Sequence, residues 1–167
     1  MKIKQQKQIK VFLIEQYGND RGIALFEKQE KILGTLIENT KDKSENQMKT
    51  LTQTILPRIA LYKALSEESF SKEDVYECLR KYMLDKVAAK KHSSTAKMEI
   101  VPGFYAIYSN IFLKIMRTTD LQESVQEHGR DYFDVTIKKC LWHTACVENG
   151  CAKLCSLFCD VDDVTYG

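Results

Sequence analysis

The residues able to do chemistry are concentrated at one end of the sequence. Between Phe133 and Gly167, FDVTIKKCLWHTACVENGCAKLCSLFCDVDDVTYG, lie five of the six cysteines (Cys140, Cys146, Cys151, Cys155 and Cys159). The only tryptophan, Trp142, one of three histidines, His143, and the acidic group Asp160, Asp162 and Asp163 are in the same stretch. Thiols can act as nucleophiles or metal ligands, and carboxylates as general acids or bases. The cysteine spacing, C-x5-C-x4-C-x3-C-x3-C, has no C-x-x-C knuckle and matches neither a zinc ribbon nor a ferredoxin pattern, so it gives metal binding little support.

Each group has a structural reading beside the chemical one. Cys151, Cys155 and Cys159 fall on successive turns of one helical face, where reduced thiols pack as small hydrophobes, and burial of at least two is expected. Cys140 stands where a strand gives way to a helix, so the helix dipole favours its thiolate and a nucleophilic role competes with simple burial. His143 follows three residues later and on a helix shares a face with Cys140. Asp160, Asp162 and Asp163 can form an ordinary solvated cap. A carboxylate partly buried beside the thiols would instead have a raised pKa suited to general acid or base work.

The elements that must position these groups are mostly helical. A chain of 167 residues, 44% hydrophobic and 29% charged, fits one globular domain (1–167), read as a helical scaffold over 1–120 followed by a strand and the cysteine- and aspartate-rich segment over 131–167. Its 25 basic and 23 acidic groups nearly cancel, which gives no footprint for nucleic acid. The basic start MKIKQQKQIK lacks the long apolar run of a secretory signal, and no segment approaches the length of a transmembrane span. These features imply a cytoplasmic protein with reduced thiols.

Ile9, Phe12 and Leu13 predict a first helix, ended by Gly18-Asn19-Asp20. A second, capped by Asp20, runs to Asn39, and a third runs from about Glu45 to Leu65 with Pro57 expected to kink or divide it. Ser71 and Asp74 form an S-x-x-D box, with Phe70 as a staple residue, so a fourth helix should begin at Lys72 and carry Val75, Leu79, Tyr82, Met83 and Val87 inward. Cys78 reads as a small buried hydrophobe. KKHSSTAK (Lys90–Lys97), with His92, reads as a solvated linker. Pro102-Gly103 opens a fifth helix whose near-continuous apolar content predicts burial on most sides. LQESVQEHGR reads as a further helical turn, and Tyr132–Ile137 alternates as a strand that must pair with another segment or another chain. Two short helices separated by Asn149-Gly150 complete the chain.

FDVTIKKC, a helix, a glycine and then FCDVDD together resemble the C-terminal signature of the L-2-amino-thiazoline-4-carboxylic acid hydrolase family. The matching residues are Phe133, Asp134, Val135, Thr136, Gly150, Cys159 and Asp162; two lysines precede Cys140 where the family pattern has one residue. LPRIALYKAL (Leu56–Leu65) is similar to a helix of the same family. The resemblance implies an α+β, predominantly helical fold of five or six helices leading into a small antiparallel sheet, similar to vinyl-reductase-like ligand-binding domains. It also implies further strands beyond the C-x-x-D motif, before which this sequence ends. The implied activity is hydrolytic opening of a 2-aminothiazoline ring to a carbamoyl-cysteine by breaking a carbon–nitrogen bond that is not a peptide, without a cofactor. On this reading Asp162, Cys159 and Cys140 are catalytic, and His143, Asp163 and Lys139 contact the small-molecule substrate. Lys139 and Arg58 are candidates for its carboxylate.

A sensor module that binds a small molecule, or that holds zinc or an iron–sulfur cluster through the thiols, is the alternative. A helical homodimer pairing the orphan strand across a twofold axis is the third. No nucleic-acid or membrane partner is implied.

Overall fold

The computed structural model describes residues 3–68, 70–118 and 120–166. Among the described residues, seven helices and one two-stranded antiparallel sheet make an α+β fold. In chain order they are α1 (Lys4–Tyr17), α2 (Asn19–Asn39), α3 (Glu45–Thr50, a π-helical stretch Leu51–Ile55, then Leu56–Ser66) and α4 (Lys72–Lys81, a π-helical stretch Tyr82–Ala88, then Ala89–Glu99). Then come α5 (Phe104–Thr118), β1 (Gln122–His128), β2 (Phe133–Cys140), α6 (Leu141–Glu148) and α7 (a 3-10 turn Ala152–Leu154 leading into Cys155–Tyr166). Among the described residues no helix is long and apolar enough to cross a membrane.

The second half of α3 is the axis of the core. Leu56, Ile59, Ala60, Leu61, Ala64 and Leu65 are all buried, because α1 and α2 cover one side of it and α6 and α7 reach the same cluster from the other. The α1–α2 corner depends on two glycines. Gly18 has φ of +81°, a conformation other residues adopt only with strain, and Gly22 lies so close to α1 that a Cβ would stand 2.6 Å from Ile14 Cα. Helix α2 therefore starts at Asn19 behind Gly18, not behind an Asp20 cap as predicted.

Pro57 divides α3 as expected: it stands in the first turn of Leu56–Ser66, which a π-helical stretch separates from Glu45–Thr50. The π-helical stretch before it absorbs the proline, and the chain covers the backbone groups that the disturbance exposes. Gln5 Nε2 donates to the carbonyl of Gln53, four residues before the proline, at 3.0 Å. Buried Gln29 Nε2 donates to the carbonyl of Pro57 at 3.0 Å. The predicted start of α4 is present: Ser71 Oγ accepts from the Asp74 amide at 3.1 Å. Cys78 is half-buried and accepts a hydrogen bond from Tyr17 Oη at 3.2 Å.

Three sequence expectations fail here. The Lys90–Lys97 linker is helix, because α4 continues through its π-helical stretch to Glu99 and is held by α7: His92 Nδ1 lies 3.3 Å from the carbonyl of Thr165. The residues read as a helical turn, Gln122–His128, are β1, which supplies the partner that the β2 strand required. Alternating Ser124, Val125 and Gln126 suit a pleated ribbon once a neighbouring strand satisfies the backbone. A register shift at the Glu123/Ser124 step leaves Lys138 without an opposite residue; Phe133, Val135 and Ile137 share one face as predicted, with Ile137 exposed at its end. Finally, α5 is not buried on most sides. A two-stranded sheet covers one helical face, where Phe112 meets Phe133 edge-on at 5.4 Å, and Tyr105, Ile107, Ile111 and Ile115 remain exposed.

Candidate functional site

Strand β2 delivers Cys140 to the N-cap of α6, with extended backbone angles and the Leu141 amide donating to the carbonyl of Leu121 at 2.9 Å. Helix α6 ends at Asn149-Gly150 as the sequence predicts. Gly150 takes φ of +70°, and Asn149 Nδ2 caps the carbonyl of Ala145 at 2.8 Å. The reversal brings Cys151 against Cys146, whose carbonyl accepts the Cys151 amide at 2.8 Å. Helix α7 then rises past Cys140. Its inward positions are Leu154, Leu157, Phe158, Val161 and Thr165, so Cys155 lies half-buried and Cys159 exposed, against the expectation that two of Cys151, Cys155 and Cys159 would be buried.

The thiols influence one another. Cys146 hydrogen-bonds with Cys151, which chiefly holds the Cys146 thiol well above the ordinary range and draws that of Cys151 down. Burial, followed by Cys159 and Cys140, pushes Cys155 up to about 11. Cys159 is also raised, first by burial, then by Cys140 and by Asp162, Asp163 and Asp160. Cys155 and Cys159 thus keep their protons at neutral pH, and Cys159 suits a wall or a proton donor better than an attacking thiolate. Among the described residues, no three His, Cys, Asp or Glu side chains converge as metal ligands.

The carboxylates do not border an enclosed hollow. Asp162 is 61% exposed at its side chain and pairs with Lys91 Nζ at 3.4 Å; Asp163 is exposed and Asp160 half-buried. The apolar positions of α7 face the core, which leaves the acidic ones on the solvent side of the same turns. Asp162 nevertheless lies close enough for its charge to act on Cys159, one turn back, and on Arg58 below. A sulfur and a carboxylate therefore adjoin, on an open face.

Arg58 projects from the buried half of α3. It is 5% exposed, its Nε donates to Gln5 Oε1 at 3.2 Å, and its guanidinium lies 5.1 Å from the centre of the Phe158 ring. Burial lowers its pKa, while Tyr82 and Asp162 act against that shift. Tyr82, on the first turn of the second π-helical stretch, packs on Phe12 at 5.2 Å; burial pushes its phenol up to about 12.

Two predicted residues stand apart. Lys139 is exposed, pairs with Glu123 at 3.5 Å, and lines a separate cleft of about 470 Å³ with Asp42, Lys43, Asp120 and Thr144. In that cleft Asp120 is held below its usual range by hydrogen bonds from Ser44 and then Asn46. His143 is exposed on α6. Of the predicted set, then, Cys140, Asp162 and Asp163 act on Cys159, while His143 is exposed on α6 and Lys139 lines the other cleft. Sequence reasoning missed Lys91, hidden in the supposed linker, and read Tyr82 as core alone. For Arg58 a signal existed: one guanidinium inside the apolar run LPRIALYKAL.

The family model of L-2-amino-thiazoline-4-carboxylic acid hydrolase matches residues 47–167. The chain belongs to this family. The shared region of the thiazoline-carboxylate hydrolases takes in α3 with Arg58, the β1–β2 hairpin and the whole thiol and carboxylate segment, and leaves α1 and α2 outside it. No curated protein and no solved structure matches the chain.

Proposed function

We propose that this thiazoline-carboxylate hydrolase family member opens a small cyclic, sulfur-containing amidine acid of the 2-aminothiazoline-4-carboxylate type. The observation that carries the proposal is that Asp162 and Cys159 lie one turn apart on the outer face of α7, with Cys140 at the end of β2 near enough to act on Cys159 and the buried Arg58 within reach of the Asp162 charge. The reacting carbon of such a ring is bonded to sulfur and to two nitrogens. Asp162 takes a proton from a water whose oxygen adds to that carbon. The bond to the ring nitrogen then breaks, the nitrogen leaves with a proton, and the carbon remains on sulfur as a carbamoyl group. Atoms balance with one water consumed. Cys159 serves as a proton-bearing wall, consistent with its raised pKa, and Cys140 borders the same face. Lys91 pairs with the Asp162 carboxylate and holds it in place until substrate arrives.

The test is ring opening of L-2-amino-thiazoline-4-carboxylate, followed by loss of the cyclic amidine and appearance of the carbamoyl product. Asp162→Ala is expected to lower kcat by about 100-fold or more, the usual scale for a positioned acid–base group. Equal turnover by wild type and Asp162→Ala would remove the carboxylate from the mechanism. A second reading, small-molecule binding without turnover, is favoured by the cleft of about 470 Å³ around Lys139 and Asp120, which contains none of the three proposed catalytic residues. Ligand binding that is lost on Lys139→Ala, with no turnover in the wild type, would select that reading.

A further inference from the structure

Arg58 and Tyr82 are the buried polar groups for which the fold provides least. Among the described residues no carboxylate lies within ion-pairing distance of Arg58, whose single hydrogen bond runs from Nε to a neutral amide. Tyr82 is fully buried, and among the described residues its Oη has no hydrogen-bond partner. The two are near enough that each alters the other's ionisation. A buried guanidinium is normally matched by a carboxylate, and a buried phenol normally finds an acceptor, because desolvation is otherwise uncompensated. Elsewhere the same core satisfies its polar groups: Gln29, equally buried, is bonded to both Gln6 and Pro57. Two buried donors close enough to act on each other's charge, both short of acceptors, therefore call for an acceptor supplied from outside.

The backbone points to the same place. Arg58 follows the π-helical stretch Leu51–Ile55 by three residues, and Tyr82 opens the stretch Tyr82–Ala88. Such interruptions are uncommon and recur at functional sites, where they shift a side chain out of the register a regular helix would impose. Phe158 supplies an apolar wall at the guanidinium plane, and Asp162 stands one turn further along α7.

We propose that Arg58 and Tyr82 form the seat for the carboxylate of the small-molecule ligand, with guanidinium N–H groups and the phenol O–H donating to its two oxygens. The seat places the ligand's acid group inward and its ring toward Asp162 and Cys159. The identity of the ligand as a thiazoline acid rests on the hydrolase reading above; the existence of a carboxylate seat does not.

The test compares binding of L-2-amino-thiazoline-4-carboxylate with that of its carboxamide, by titration calorimetry, in wild type, Tyr82→Phe, Arg58→Lys and Arg58→Met. Wild type should favour the carboxylate by about tenfold or more, the scale of a charge-assisted hydrogen bond. Tyr82→Phe should reduce that preference several-fold, Arg58→Lys should keep part of it and Arg58→Met should abolish it. Tyr82→Phe removes only a hydroxyl that bonds nothing, so it reports even if Arg58→Met does not fold. A wild type indifferent to the carboxylate, or variants that keep the wild-type preference, overturns the seat. Turnover measured in parallel separates the two ideas. Ring opening with KM unchanged in Tyr82→Phe and Arg58→Met sinks the seat and leaves the hydrolase. Arg58-dependent binding without ring opening supports the seat and sinks the hydrolase.

Discussion

Replacing Arg58 by methionine should make the protein more stable while disabling it. Taking a guanidinium out of water costs several kcal/mol after relaxation, and the fold returns only part of that. The hydrogen bond to Gln5 contributes about 1.5–3 kcal/mol and the contact with the Phe158 ring about 0.5–2 kcal/mol. Methionine keeps an unbranched chain of similar reach, carries no charge to desolvate, and regains part of the ring contact through sulfur, about 0.3–1.5 kcal/mol. Gln5 is only partly buried and can turn its oxygen to solvent. The balance favours Arg58→Met by about 1–3 kcal/mol, within the range seen when buried ions are exchanged for apolar residues. For a chain of this size each kcal/mol raises Tm by about 2–4 °C. Paired urea and thermal unfolding curves measure the difference. A loss of stability larger than about 2 kcal/mol would refute the reasoning, since it would mean that the guanidinium is a structural pin whose interactions outweigh its desolvation.

Two further outcomes follow from the packing and the thiols. Gly22→Ala, which in an open helix would stabilise by about 1 kcal/mol, should here destabilise by about 1–3 kcal/mol because its Cβ meets the backbone of Ile14; denaturant unfolding gives the sign directly, and a neutral result would show that α1 can move aside. Folded stability should decline in alkali. Cys155 titrates at about 11 in the folded protein against about 8.5 in an unfolded chain, so the folded state holds a proton that the unfolded state has released, and the contribution is complete below about pH 8.5 and lost as pH rises toward 11. Cys159, shifted the same way, adds to the slope. Tm recorded across that window in wild type and Cys155→Ala should show a shallower fall in the variant; equal slopes would remove Cys155 as the cause.

Much of the helical order was legible because its signals are local. Ser71 and Asp74 start α4, Asn149-Gly150 ends α6, and Ile9, Phe12 and Leu13 fall on the buried stripe of α1. What could not be read depends on partners distant in sequence. Gln122–His128 is polar enough to pass for a helical turn and becomes a strand only because β2 lies beside it. Lys90–Lys97 has no apolar stripe, and α7 holds it as helix from outside. The candidate site divided along the same line. Cys159 and Asp162 are three residues apart and were bound to adjoin, whereas the depth of Asp162 depended on which face of α7 the core would claim. His143 and Lys139 were close in number to Cys140, but His143 lies exposed on α6 and Lys139 pairs with Glu123 across the hairpin.

Gln5 lies more than forty residues ahead of the segment that defines the family, yet it closes the carbonyl opened by Pro57 and holds the Arg58 side chain in its place. Evolutionary boundaries and folding boundaries therefore differ in this molecule. A fragment trimmed to the recognisable portion would keep every residue of the signature and discard the strut beneath it, so the two leading helices belong to the working part of the protein.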